Sequence, residues 1–180
     1  MMIAVESWID RFAGLQLLPV DCRDTLVERS KIVSVPAGTV IFGPGKIPDN
    51  LLLLLEGTVR VSQTSETGRE IVLYRVEAGE SCVLTTACLL AQEAYSAEGL
   101  AETEIQAAAI PRQVFNDLIS ASIAFRDFVF AAYAGRITNL FRVIDEVAFG
   151  RIDMRLAGRL LTLVDRNGEI KTTHQALATE

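Results

Sequence analysis

The chain has 180 residues, 50% of them apolar and 22% charged, with a formal net charge of −6. That is one soluble globular domain plus an appendage, long enough to bury about two-thirds of its unfolded surface without a disulfide or metal staple. A single histidine, His174, excludes sites built on two or three histidine ligands, and three cysteines (Cys22, Cys82 and Cys88) are too few for a four-thiolate zinc or iron–sulfur centre, so no metal site is expected within one chain.

The cysteines lack CxxC spacing and predict reduced thiols. The N-terminus shows no signal-peptide pattern, and no apolar run approaches the ~20 residues that span a bilayer. A cytoplasmic location without a membrane partner is the expectation.

Residues 7–30 predict two short helices. Ser7 and Asp10 fit a capping box, with Ile9, Phe12, Ala13 and Leu17 on one face. Pro19 opens the second helix, which carries Leu26 and Val27. Trp8 is expected to pack against the strand-forming region C-terminal to these helices.

Residues 32–110 change period. Short runs rich in Val, Ile and Leu alternate with glycines at 38, 45, 57, 68 and 79, leaving gaps of 7, 12, 11 and 11 residues. This spacing predicts an all-β sandwich or jelly roll rather than βαβ units. TVRVSQ and REIVLYRV flank TSETG, a hairpin with Gly68 supplying positive φ. AETEIQAAAIP reads as a closing strand ending at Pro111, and ESCVLTTACLLAQEAYSAEG before it as a loop holding a short helix.

Helical periodicity returns after Pro111. RQVFNDLISAS is a short helix, and a long one runs from about Ile123 to Phe149 with Gly135 its only glycine and no proline. Phe130, Ala134, Ile137, Phe141, Ile144 and Ala148 step 4-3-4-3-4 along it, a heptad-like seam. Val129, Ala132, Leu140, Val143 and Val147 form a second stripe, interrupted by Arg136. At 1.5 Å per residue this helix is about 40 Å long, more than a small sandwich covers, so the seam is expected to pair with a second copy in a homodimer. After Gly150, DMRLAGRLLTLVDRNG predicts another helix, capped by Asp153 and stopped at Asn167-Gly168. Arg151, Arg155 and Arg159 share one face of it, by default a solvated one. Thr172 with Gln175, or Thr173 alone, then caps a last helix. The sequence stops one or two turns into that helix, as expected of a truncated or cleaved chain. Net charge is −7 over residues 1–134 and +1 over 135–180, so any nucleic-acid contact is expected toward the C-terminal end.

The order PAGTVIFGPG, LLLLLEGTVRV, TGREIVLYRVEAGE, then a long helix and a helix leading to THQALA, resembles the Crp/Fnr family of bacterial transcription regulators. The resemblance covers almost the whole chain and implies three parts. These are a double-stranded β-roll sensor with N-terminal helices over residues 1–122, a dimerisation helix over 123–149, and the start of a winged helix-turn-helix over 150–180. It further implies an effector-responsive dimer acting on promoter DNA, with RNA polymerase as a further partner and no enzymatic activity. Thr173, His174 and Gln175 would lie nearest DNA, and the recognition helix would lie beyond these residues. A β-roll ligand-binding or interaction module without DNA is the alternative; a metal-dependent jelly-roll enzyme is opposed by the lone histidine.

The resemblance departs at the effector cassette. Cyclic-nucleotide binders of the family carry a GEfxGEL-type stretch whose second Glu holds the ribose, and an Arg-Ser/Thr pair on the phosphate. Here Val83 and Leu84 replace the second Gly-Glu, and Ala94, Tyr95 and Ser96 replace the phosphate pair. No Arg or Lys lies between Arg75 and Arg112, so cAMP and cGMP are not expected to bind. The pocket is expected to use Glu80, Cys82, Thr85, Thr86, Cys88, Tyr95 and Ser96 for a different small-molecule or redox effector, and no cofactor can be named. Cys82 and Cys88 flank a loop–helix junction, where they could meet or act as low-pKa thiolates; two buried packing thiols is the plainer alternative.

Overall fold

A computed structural model of the chain describes residues 8–149, 152–165 and 168–179, with side chains described except at 145–149, 152–155 and 178–179. Ser7, Gly150, Arg151 and Asn167 therefore lie outside the described residues, as do the side chains of Val147, Ala148, Asp153 and Arg155. The chain divides into two compact units, Met1–Tyr133 and Ala134–Glu180. Among the described residues no single helix is long and apolar enough to cross a membrane.

The first unit is a jelly roll of two antiparallel sheets. One sheet holds β1 (Lys31–Val35), β7 (Ile105–Pro111) and β3 (Asn50–Glu56), in that order. The other holds β2 (Val40–Phe42), β6 (Glu98–Ala101), β4 (Thr58–Thr64) and β5 (Glu70–Glu77). Leu51, Leu53 and Leu55 of β3, with Ala108 and Ile110 of β7, turn toward a helical layer. Leu52 and Leu54, with Ile105 and Ala107, turn into the space between the sheets. A strand covered on both faces has no polar side to alternate, which is why LLLLLE reads as a continuous apolar run.

The helical layer comprises α1 (Val20–Arg29), α3 (Arg112–Ala121) and the first turns of α4 (Ile123–Phe149). Ser122 joins the last two: its N–H closes α3 on the Leu118 carbonyl, and its buried Oγ accepts the Phe125 N–H at 3.2 Å to cap α4. Phe125 and Val129 of α4 pack with Phe115 and Leu118 of α3 in this core.

Two expectations are corrected. The N-terminal residues form 3₁₀ turns, Ile9–Arg11 and Ala13–Leu17, not α-helix. At three residues per turn the inward side is Ile9, Phe12, Leu15 and Leu18, all buried, whereas Leu17 is 78% exposed. AETEIQAAAIP is not one strand: β6 and β7 belong to different sheets, separated by a turn at Glu102–Glu104. Side chains hold that turn, with Thr103 Oγ1 accepting the Thr58 N–H at 3.0 Å and Arg75 gripping Glu102 through two bonds of 2.7 and 2.9 Å.

The second unit contains the rest of α4, α5 (Ile152–Leu163) and α6 (His174–Thr179). Thr173 caps α6, accepting the Ala176 N–H on its hydroxyl at 3.1 Å. Asp165 and Glu169 are hydrogen-bonded to each other, the Asp165 N–H donating to the Glu169 carbonyl and the Glu169 N–H to the Asp165 carboxylate, both at 2.9 Å, and Gly168 takes φ +79°.

Gly57, between β3 and β4, sits at φ +82°, and a Cβ there would run into the Glu104 carbonyl and the Thr103 hydroxyl of the neighbouring turn. Gly57→Ala should therefore lower the unfolding free energy of the roll by about 3 kcal/mol, from left-handed strain plus a backbone clash. Gly68→Ala, at φ +81° with nothing within 4 Å of the new methyl, should lose only about 1 kcal/mol. Urea denaturation of both variants checks the difference, and equal losses would contradict it.

Candidate functional site

Behind β5 the chain turns sharply and runs back along the edge of β3. Gly79 N–H donates to the Leu54 carbonyl at 2.8 Å and Leu54 N–H to the Glu80 carbonyl at 2.9 Å. Glu80 is exposed, and its carboxylate accepts the Glu77 N–H at 3.0 Å, so it braces this turn. The short helix expected in the cassette is α2 (Val83–Ala91), with Cys82 at its N-cap position. The Cys82 carbonyl accepts from Thr86 twice, through N–H at 3.0 Å and Oγ1 at 3.1 Å.

Past α2 the chain returns into the roll at Tyr95. Its backbone pairs with the β2–β3 loop, through Tyr95 N–H to the Lys46 carbonyl and Gly45 N–H to the Tyr95 carbonyl. Its ring stacks on Phe42, centroids 4.2 Å apart and planes 15° apart. Its hydroxyl meets Thr85 Oγ1 at 3.0 Å with both side chains buried. Phe42 itself lies against Gly99 of β6, where a Cβ would strike the ring, and this explains a glycine inside a strand.

Of the predicted pocket residues, Cys82, Thr85, Thr86, Cys88 and Tyr95 are brought together in the interior, while Glu80 and Ser96 face solvent. Phe42 and Tyr74 were missed. Phe42 is set by its stack with a residue distant in sequence; Tyr74 carried the one available signal, an aromatic hydroxyl on a strand whose next inward residue is the buried Val76. The Tyr74 hydroxyl accepts the Leu84 N–H at 3.0 Å and lies 3.6 Å from Cys82 Sγ. Cys82 also walls a narrow cavity of about 20 Å³ between the sheets, whose remaining lining is aliphatic or aromatic.

The electrostatics suit a neutral interior. The arginines flanking the cassette are engaged with carboxylates, Arg75 with Glu102 and Arg112 with Asp49 at 2.6 Å. Burial pushes the Tyr95 hydroxyl up, against the lowering effect of its bond to Thr85. Burial, then neighbouring Cys82 and Glu93, pushes the Cys88 thiol up, so Cys88 stays protonated at neutral pH rather than becoming a thiolate. Its thiol points at the Ala94 carbonyl, 3.7 Å away. The two cysteines cannot meet while α2 is intact: six residues of helix rise span about 9 Å, beyond the ~7 Å limit between bridged Cα atoms.

On α4, Phe130, Phe141 and Ile144 are 50%, 65% and 59% exposed, Ala134 is exposed and Ile137 half-buried. In the second stripe Val129 is buried in the roll's helical layer, whereas Leu140 and Val143 are exposed. Thr173, His174 and Gln175 are exposed at the start of α6.

Residues 32–122 match the family model described as cyclic nucleotide-binding domain. A sequence search of curated proteins finds no match. Among solved structures, the chain is similar to a candidate transcriptional regulator of the Crp/Fnr family from Eubacterium rectale, with TM-score 0.84 and 23% identity over 95% of this chain and 80% of that one. It is also similar to the c-di-GMP-responsive global regulator of Xanthomonas campestris, with TM-score 0.69 and 18% identity over 89% and 84% of the two chains. The catabolite activator protein of Thermus thermophilus gives TM-score 0.63 and 25% identity over 92% and 78%.

The hydroxyl pair of Thr85 and Tyr95 should be worth about 1 kcal/mol of coupling. Tyr95→Phe and Thr85→Val should each destabilise the roll by about 1–2 kcal/mol by orphaning a buried hydroxyl, and the double variant by clearly less than their sum. Chemical denaturation of the four proteins measures this, and strict additivity would show that the two hydroxyls do not interact.

Proposed function

The chain belongs to the cyclic nucleotide-binding domain family, and from that premise we propose that it is the sensor and dimerisation part of a cytoplasmic, Crp/Fnr-type transcription regulator whose effector is not a cyclic nucleotide. The observation that carries this reading is the direct passage from roll to α4. The first turns of α4 are embedded in the roll's helical layer, and further along the same helix Phe130, Leu140, Phe141, Val143 and Ile144 are exposed. That many large apolar side chains on one helix form a patch that a soluble chain covers with a partner. A second copy, paired through the seam of Phe130, Ala134, Ile137, Phe141, Ile144 and Ala148, covers it with the two-fold symmetry that a palindromic operator requires.

The solved structure of the candidate Crp/Fnr transcriptional regulator from Eubacterium rectale supports the same reading, as does α6, whose exposed Thr173, His174 and Gln175 would approach promoter DNA. RNA polymerase is the further partner that such a regulator engages. The role is binding rather than catalysis.

Light scattering at tens of micromolar should find a dimer, and Phe141→Glu or Ile144→Glu should give a monomer with the roll still folded. A wild-type monomer would remove the reading; an unchanged dimer in both variants would move the interface off this seam.

Cyclic nucleotides should not act on this roll. The cassette offers no cation to a phosphate, and burying an unpaired phosphate loses several kcal/mol. Calorimetry with cAMP and with cGMP should show no saturable heat at millimolar ligand, and a micromolar dissociation constant for either would overturn this account of the cassette.

A further inference from the structure

We propose that the roll responds to hydrogen peroxide through Cys82, the thiol that walls the interior cavity beside the Tyr74 hydroxyl. The proposal deepens the sensor reading above and rests on it for its regulatory consequence, not for its chemistry.

Size and polarity select the reagent. A cavity of about 20 Å³ admits a molecule of one or two heavy atoms, and its hydrocarbon walls reject a charged one. Glutathione and nucleotides are excluded on both counts and ionic oxidants by their charge, whereas hydrogen peroxide is small and uncharged. Among the side chains lining the cavity, only Cys82 has an atom other than carbon to offer.

The surroundings of that sulfur suit an oxygen transfer. The Tyr74 hydroxyl takes the Leu84 N–H on a lone pair and can direct its own proton toward Cys82 Sγ, 3.6 Å away. In the reaction the sulfur attacks one peroxide oxygen, the O–O bond breaks and an S–O bond forms. Sulfur loses two electrons and peroxide gains them. The thiol proton leaves with the departing oxygen as water and Cys82 becomes a sulfenic acid, while the Tyr74 hydroxyl, 3.6 Å from the sulfur, orients it for attack.

Helix α2 then turns the chemistry into movement. Cys88 is the nearest thiol in sequence but lies about 9 Å along the helix, out of bridging range. Condensation of the sulfenic acid with the Cys88 thiol, releasing a second water, requires the first turn of α2 to unwind. That breaks both bonds from Thr86 to the Cys82 carbonyl. Cys88, kept as a thiol by burial, is the resolving rather than the attacking partner.

The experiment treats the full chain with one equivalent of hydrogen peroxide at pH 7, quenches at short times into denaturant containing dimedone so that every sulfenic acid is reachable, and maps the three cysteines by mass spectrometry, with half-buried Cys22 as internal reference. Cys82 should label at least about tenfold faster than Cys22. Without dimedone a Cys82–Cys88 disulfide should form, and Cys88→Ala should leave the sulfenic acid standing. Tyr74→Phe should slow Cys82 oxidation about tenfold with the circular dichroism unchanged; should that variant misfold, the Cys82-to-Cys22 ratio in the wild type decides alone. Cys82 labelling no faster than Cys22, or Cys82 reacting as readily with glutathione disulfide as with peroxide, would overturn the proposal. Light scattering on the same samples separates the two readings: an inert Cys82 in a dimer defeats only the peroxide chemistry, and a reactive Cys82 in a monomer defeats only the regulator.

Discussion

Strands β7 and β3 have no free face. One side of β3 and β7 meets the opposing sheet and the other meets α1, α3 and the base of α4. The side chains along Leu51–Leu55 are consequently buried, Leu52 only partly, and each fully buried leucine contributes roughly 1.5–3 kcal/mol. The other elements are arranged around this burial. The 3₁₀ turns and α1 exist to cover the outer side, and Trp8, Phe12, Phe125 and Phe128 make a chain of edge-on and tilted ring contacts over it. On the inner side the small residues Ala101 and Ala107 let the two sheets approach closely. The first turns of α4 start in this core, anchored by Phe125 and Val129 and capped by Ser122.

The effector cassette departs from nucleotide chemistry in two linked ways. The cations that would hold a phosphate are missing, and the interior is occupied by the protein itself, with Tyr95 returning to stack on Phe42 and bond Thr85. An aromatic ring and a hydroxyl pair occupy this interior, which is apolar, neutral and nearly full. What remains open is a gap of about 20 Å³ with one sulfur on its wall.

Most of the roll was legible in the sequence, for a physical reason. Glycines at 38, 45, 57, 68 and 79 all take positive φ, so the residue type that punctuates the strands is the one the backbone demands there. The boundaries of α4 and the cap at Thr173 were legible likewise, from periodicity and from hydroxyl placement. Legibility failed where side chains replace glycine. The turn between β6 and β7 is made by Glu102, Thr103 and their long-range partners, which no local pattern reveals. It failed also at the N-terminus, where a three-residue period passes for a helical one until burial separates Leu15 and Leu18 from Leu17. In the site, the cassette's cysteines, threonines and tyrosine stood out by type, but the Phe42 stack and the Tyr74 hydrogen bond depend on strand pairing across the roll. The thiols' separation became evident only once α2 was seen to begin at Val83.

Helix α2 borrows its N-terminal cap from another strand. Cys82 holds the N-cap position without a side-chain bond of its own, the Leu84 N–H is taken instead by the Tyr74 hydroxyl of β5, and Gln92 closes the helix at φ +56°, a left-handed conformation that glycine would adopt more readily. A hydroxyl at the first position and a glycine at the last would each add about 1 kcal/mol. The first turn of this nine-residue segment thus depends on a hydroxyl carried by a neighbouring strand, and a change at Cys82 that drew the Tyr74 hydroxyl away would loosen that turn while the leucine-lined strands stayed closed.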